Sequence, residues 1–264
     1  MLSQRTKYIS SSDNTQFKQI KKLAKSSRER RKLGKTLIDG VHLIEALVDA
    51  GLVPELILVA EHKYKLDNKI MQCLQQFPQT EIAVVNQNLF TSLAIVENSV
   101  GILAVISSKI SYLHTAQVSQ CAVLLENIQD PGNMGSILRT AAASGVDSVF
   151  LSKGCTEAWS PKALRAGMGA HFGISITENA SLKHCAGQYK IVVATSLDAN
   201  TQIYDIELSE NIAFIFGNEG AGLSAELRAL ATHQVKIPMI GNVESLNVAA
   251  AAAICLYERV RQTQ

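Results

Sequence analysis

The polar residues that could do chemistry are gathered in three short stretches of the second half, each following an apolar run. The first, Glu126-Asn127-Ile128-Gln129-Asp130-Pro131-Gly132-Asn133, leads into a segment that bears Arg139. Asn133 could be a plain helix cap and Arg139 a solvated arginine beside an apolar stripe, so neither alone carries a function. The second, Gly217-Asn218-Glu219-Gly220-Ala221-Gly222, holds three glycines in six residues, which lets something flat lie close to the backbone. Its spacing is G-x-x-G-x-G rather than the G-x-G-x-x-G of a dinucleotide finger, and no acid follows at the distance of a ribose contact, so a nicotinamide site is disfavoured. Glu219, a charge inside that loop, needs a partner. The third, Ile237-Pro238-Met239-Ile240-Gly241-Asn242-Val243-Glu244-Ser245-Leu246-Asn247, feeds an alanine-rich stretch, and Ser245 there could be no more than an N-cap. The six histidines lie outside all three stretches and no Ser-His-Asp or Cys-His set is evident. Chemistry here would have to come from positioning a reactive cofactor.

The elements that hold these loops alternate between strand and helix. Cys121–Leu125 is a continuous apolar run, as a buried parallel strand should be. Met134, Ile137, Leu138, Ala141 and Ala142 then fall on one face of a helix, which Gly145 closes. Strands follow at Ser148–Leu151, Ile191–Thr195, Ile212–Phe216 and Gln234–Ile237, and a helix from Leu246 to about Arg261 ends the chain. The loops thus leave the carboxyl ends of strands, where open α/β sheets bind ligands. The run Ala249–Ala253 offers a smooth surface, for core packing or for a subunit interface. In the first half a basic helix over Gln16–Arg31 precedes a strand at Thr36–Asp39 and a helix at Val41–Ala50. Strands at Glu55–Val59, Glu81–Val85 and Gly101–Ile106, with Asn68–Gln76 helical among them, predict an α/β layer with a partly parallel sheet. Polar, weakly patterned Ser107–Gln120 divides a domain over 1–106 from one over 121–264.

Composition agrees with two domains. The chain has 264 residues, 47% of them hydrophobic and 18% charged, enough apolar surface for sizeable cores and too little charge for wholesale disorder. No run of eighteen apolar residues predicts a membrane span, and the N-terminus lacks a signal-peptide core. Five cysteines without a C-x-x-C pair argue against a disulfide framework or a structural zinc. The expectation is a cytoplasmic, metal-free protein. Charge is uneven: the first 36 residues carry eleven Lys and Arg against two acids, a local +9, which leaves −7 for the rest of a chain whose total is +2. A basic head on an acidic body points to a polyanion such as nucleic acid, with Lys25, Arg28, Arg30, Arg31 and Lys32 as its contacts. A merely solvated helix face is the alternative.

Taken together and in this order, the three stretches resemble the motifs of the SpoU/TrmH-type SPOUT RNA methyltransferases. They are Asn127-x-x-Asp130-Pro131-x-Asn133-x-Gly135-x-x-x-Arg139-Thr140-Ala141, Phe216-Gly217-Asn218-Glu219-Gly220-x-Gly222-Leu223 and Ile237-Pro238-Met239-x-Gly241-x-Val243-Glu244-Ser245-Leu246-Asn247. The first domain is similar to the ribosomal-protein-L30e-like substrate-binding domain often fused in front of them. The resemblance implies S-adenosylmethionine-dependent methylation of a ribose 2′-hydroxyl in ribosomal or transfer RNA. It also implies an α/β fold, a parallel sheet with a C-terminal trefoil knot, working as a homodimer. By the same resemblance Gly217, Ile237 and Leu246 line the cofactor pocket, and Asn133, Arg139, Glu219, Ser245 and Asn247 form the reaction centre. Because a guanidinium stays protonated, Arg139 suits a clamp on phosphate and developing alkoxide better than a base. Gly167 stands where the family commonly has serine. The competing reading is a non-catalytic RNA-binding or ribosome-assembly protein that retains the fold.

Overall fold

Short apolar runs without helical period become the strands of two separate sheets in the computed structural model, which describes residues 6–93, 99–108, 120–209 and 211–264. The chain divides into one unit of Met1–Ser111 with Trp159–Phe172, and a second of Tyr112–Ala158 with Gly173–Gln264. Most of the linker expected over 107–120 lies outside the described residues.

The first unit opens with β1 (Thr6–Ile9), a strand absent from the sequence expectation. The basic helix expected over Gln16–Arg31 is two helices, α1 (Thr15–Lys25) and α2 (Ser27–Leu33). Ser26 causes the break: it takes extended angles, and its hydroxyl accepts the Glu29 N–H as the cap of α2. Then come β2 (Lys35–Asp39), α3 (Val41–Asp49), β3 (Leu56–Ala60), α4 (Asn68–Gln75), β4 (Glu81–Val85), α5 (Gln87–Leu93) and β5 (Ile102–Ser107). The strand order is β1-β4-β3-β5-β2, parallel from β1 to β3, with β5 antiparallel to both of its neighbours. Phe17, Ile20 and Leu23 of α1 pack into a core with Leu37, Leu58 and Leu103. That apolar stripe leaves the lysines of α1 on the opposite side.

The second unit contains β6 (Cys121–Leu125), α6 (Pro131–Ala143) and β7 (Ser148–Leu151). The chain then contributes α7 (Pro161–Gly167) to the first unit, where it packs on β2. Thr36 donates its hydroxyl to the Trp159 carbonyl at 2.7 Å, and the Trp159 and His171 rings meet edge to face. A domain cut at one linker therefore does not describe residues 159–172, which leave the second half and fold with the first. The second unit resumes with β8 (Ser175–Thr177), α8 (Leu182–Ala186), β9 (Ile191–Thr195), β10 (Thr201–Gln202), β11 (Ile212–Phe216), α9 (Ala225–Arg228), β12 (His233–Lys236) and α10 (Val248–Thr263). Every pairing in the order β10-β12-β9-β11-β6-β7-β8 is parallel. Register sets where the loops begin. Phe216 lies beside Leu125, Ile215 beside Ala194 and Thr195 beside Val235, so four adjacent strands end nearly level and their loops start from one rim.

Candidate active site

At that rim the loops after β6 and β11 are stitched together. Glu126 donates its backbone N–H to the Phe216 carbonyl, and its carboxylate accepts the Ser224 N–H at 2.7 Å. Asn218 donates its side-chain amide to the Asn127 carbonyl at 2.9 Å, while Asn127 itself is held at φ +54. Gln129 donates to the Gly154 carbonyl at 2.7 Å, which adds the loop after β7 to the same assembly.

Three of the candidate residues form one hydrogen-bonded chain. Asn247 donates its amide to Asn133 Oδ1 at 2.9 Å, and Asn133 donates its own amide to Glu219 Oε1 at 2.9 Å. The partners fix both amide orientations, because a carboxylate can only accept. Partial burial pulls the Glu219 carboxyl upward, but the Asn133 amide and the backbone N–H groups of Glu219, Gln129 and Asp130 more than offset it. Glu219 therefore sits below the usual carboxylate range and is an anion at neutral pH. The partner that its sequence position calls for is Asn133.

Neither Asn133 nor Ser245, for which capping is the plain alternative, caps a helix. Asp130 caps α6, accepting the Asn133 N–H at 2.8 Å, which leaves the Asn133 side chain for Glu219. Asn247, not Ser245, caps α10: its Oδ1 accepts the Ala249 N–H while its Nδ2 reaches Asn133. The start of the last helix is thereby tied to the loops after β6 and β11. The signal for this was present, since asparagine caps as well as serine does. Tertiary pairing with Asn133 chooses between them.

A cavity of about 400 Å³ opens beside this chain, within the range of small-ligand sites. Gly217, Glu219, Ile237, Ser245 and Leu246 all line it. Gly217 has a different reason for being glycine than cofactor access. A Cβ there would lie 2.4 Å from the Gly222 backbone, so the residue closes the loop rather than clearing the cavity floor. Arg139 does not line the cavity. It is exposed on α6, about 9 Å along the helix axis from Asn133, and among the described residues it makes no hydrogen bond or ion pair.

Of the basic candidates in the first unit, Lys25, Arg28, Arg31 and Lys32 are more open to solvent than Arg30. The Arg30 side chain is buried, 6% exposed, and donates to the Leu23 carbonyl at 2.7 Å, one of the last carbonyls of α1. Arg30 holds the α1–α2 corner together and is unavailable to a polyanion.

A level row of parallel strand ends, a glycine-rich loop and a carboxamide–carboxylate chain beside a cavity define an α/β domain built to hold a small cofactor next to a polar reaction centre. Comparison with known proteins gives that class a family. Residues 120–257 match the SpoU rRNA Methylase family, and residues 14–104 match the MRM3-like substrate binding domain. The 23S rRNA (guanosine(2553)-2'-O)-methyltransferase RlmP of Bacillus subtilis is 35% identical over 257 residues, 95% of this chain and 98% of that one. An AdoMet-bound rRNA methyltransferase from Sinorhizobium meliloti superposes with TM-score 0.85 at 25% identity, over 98% of this chain and 99% of that one. The SpoU methyltransferase AviRb from Streptomyces viridochromogenes, solved in complex with AdoMet, superposes with TM-score 0.85 at 27% identity, over 94% and 98%. The chain belongs to the SpoU rRNA methylase family.

Proposed function

We propose that the protein is an S-adenosylmethionine-dependent methyltransferase acting on the 2′-hydroxyl of a ribose in ribosomal RNA. The observation that carries this is the Asn247–Asn133–Glu219 chain at the side of a cavity, in a member of this family. Ribosomal rather than transfer RNA is favoured by the relatives, which carry that substrate in their names.

The lining suits the cofactor. Leu223, Val235, Ile237 and Leu246 give apolar walls for an aromatic ring, and Glu219 and Glu244, with Lys236, bring charge of both signs to the lining, two acids to one base. When bound, S-adenosylmethionine supplies a methyl group on a positive sulfonium. The chain's own residues then have two tasks. Asn133, held at both ends of its amide, presents a fixed polar edge to an incoming ribose. Arg139 supplies the fixed positive charge that a phosphate and a developing alkoxide need.

Arg139 lies outside its own chain's cavity, and homodimerisation resolves this. Ile240 (100%) and Val243 (61%) are exposed just before α10, and Tyr257 (50%) is exposed on it. An interface through α6 and α10 buries them and carries each Arg139 toward the other copy's cavity. The family's trefoil knot is part of the same reading.

Three experiments test the proposal. Calorimetric titration with S-adenosylmethionine should show a single site; a protein that binds ribosomal RNA but not the cofactor would be the non-catalytic alternative. Mapping 2′-O-methyl groups in ribosomal RNA from a deletion strain should reveal one missing modification, and an unchanged map refutes the activity. Mixing an Arg139→Ala protein with an Asn133→Ala protein should restore part of the activity if the sites are shared between copies.

A further inference from the structure

Asn218 lies between Gly217 and Glu219 and is assigned no role by the motif chemistry above. It is half-buried, and its carboxamide uses every valence that matters. Oδ1 accepts the backbone N–H groups of Gly220 and Ala221, both at 2.9 Å, which turns the loop. Nδ2 donates to the Asn127 carbonyl at 2.9 Å and points its second hydrogen toward Glu219 Oε2 at 3.5 Å. The backbone of the same residue exchanges two hydrogen bonds with Gly222, at 3.1 and 2.9 Å. One side chain therefore joins the loop after β6 to the loop after β11 and also touches the carboxylate that holds Asn133.

We infer that Asn218 is a positioning residue for methyl transfer, acting through its amide N–H groups to hold Glu219 in line with Asn133. The inference rests on the proposed methyltransferase activity. Glu219 Oε1 is taken by Asn133, whereas the hydrogen bonds to Oε2 from the Gln129 N–H and from Asn218 are both long, at 3.5 Å, with the backbone N–H groups of Glu219 and Asp130 also acting on the carboxylate. Without the Asn218 donor, the loop after β11 loses its side-chain tie to the Asn127 carbonyl and Oε2 loses one of its two long hydrogen bonds, so Glu219 is held less firmly in line with Asn133. Asn133 then loses its fixed acceptor, and the Asn247 amide loses a fixed partner in turn. Loss of order at this point is a loss of alignment, and a misplacement of about 1 Å is enough for roughly a hundredfold in rate.

The two halves of the carboxamide can be separated by substitution. Asn218→Asp keeps an oxygen for the Gly220 and Ala221 N–H groups, so the turn is retained. It replaces both donors with a carboxylate oxygen facing the Asn127 carbonyl and Glu219. If Asn218 only shapes the turn, kcat on ribosomal RNA stays within about threefold of wild type. If it positions Glu219, kcat on ribosomal RNA falls tenfold or more with KM for S-adenosylmethionine within about threefold of wild type. A second readout does not depend on turnover: the side-chain amide resonances of Asn133 report the protonation of Glu219. In Asn218→Ser, which adds no charge, their titration midpoint should rise, because Glu219 loses part of its amide hydrogen bonding. Wild-type kinetics together with an unmoved midpoint overturn the inference. If wild-type protein itself transfers no methyl group, the activity is wrong, and the Asn133 titration still decides the positioning claim. Should circular dichroism show that Asn218→Asp is unfolded, Asn218→Ser carries the same two readouts. It offers one donor in place of two and adds no charge beside Glu219.

Discussion

The two units solve the same problem, where to put polar groups on a layered α/β core, in opposite ways. In the second unit every strand runs in one direction, so the loops after β6, β9, β11 and β12 leave a common rim and can converge on one point. In the first unit β5 runs against β2 and β3, which sends strand ends to both edges. Its distinctive polar groups sit instead on the outer faces of α1 and α2, where Lys25, Arg28, Arg31 and Lys32 reach solvent. A parallel sheet builds a point, suited to a reaction. Helices on a mixed sheet build a surface, suited to a long charged ligand. The positive charge sits on that surface side, +9 over residues 1–36 of the first unit against −7 over the remainder of the chain.

The largest expected effect tests whether the chemistry is confined to the point. Arg139→Ala should lower kcat by a hundredfold or more, about 3–4 kcal/mol of transition-state stabilisation, with cofactor affinity nearly unchanged because Arg139 does not line the cavity. Arg139→Lys should also be poor, since a point charge cannot reproduce a planar fork. Turnover within a few-fold of wild type would remove Arg139 from the reaction centre.

Next in size is Gly217→Val. The added Cβ would meet the Gly222 and Leu223 backbones at 2.4 to 2.6 Å, contacts that backbone must move to relieve. Overpacking of this kind costs about 1–3 kcal/mol, so melting temperature and cofactor affinity should fall together. Affinity lost at full stability would return Gly217 to the role expected from its sequence, a floor for the cofactor.

The point is more legible in the sequence than the surface. Cys121–Leu125 and Ile212–Phe216 are unbroken apolar runs, and parallel strands buried on both faces leave that trace. Of the residues in the loops after them, Glu219 stands out as a charge inside a glycine-rich loop, whereas Asn133 and Asn247 join the reaction centre only through the family resemblance. Sequence does not hold who pairs with whom. Asp130 and Asn133 are both competent caps, as are Ser245 and Asn247, and long-range contacts choose among them. In the first unit, β1 escapes notice because its four residues contribute only Ile9 to the core. Trp159–Phe172 escapes because nothing local marks a segment that folds with a distant part of the chain. Arg30 reads as one more cation in a basic run, and only the α1–α2 corner shows that a carbonyl claims it.

That last difference sharpens the surface half of the comparison. Replacing Arg28, Arg31 and Lys32 with alanine should weaken ribosomal RNA binding and flatten its salt dependence by about one unit of slope for each phosphate that is no longer neutralised. Cofactor affinity should be untouched. Arg30→Ala should do the reverse, leaving the slope alone and lowering thermal stability, because it strips a charged donor from a buried carbonyl. Filter binding across salt concentrations separates the two. Equal slopes for wild type and the triple variant would make this face a solubilising one.

The smallest effect concerns how the surface gets its shape. Ser26 interrupts what its neighbours would continue as a single helix, and its hydroxyl accepts the Glu29 N–H at 3.3 Å. Its extended backbone turns α2 away from the line of α1 and lets Arg30 reach back to Leu23. Ser26→Ala removes the cap but not the corner, since the Arg30 bond and the left-handed Gly34 at the far end of α2 remain. The loss should be about 1 kcal/mol of stability, read as a modest drop in urea midpoint, with RNA affinity changed by less than twofold. A rise in helicity accompanied by a larger loss of RNA affinity would mean that α1 and α2 have fused. The cap, rather than Arg30, would then be what keeps Arg28, Arg31 and Lys32 on one face.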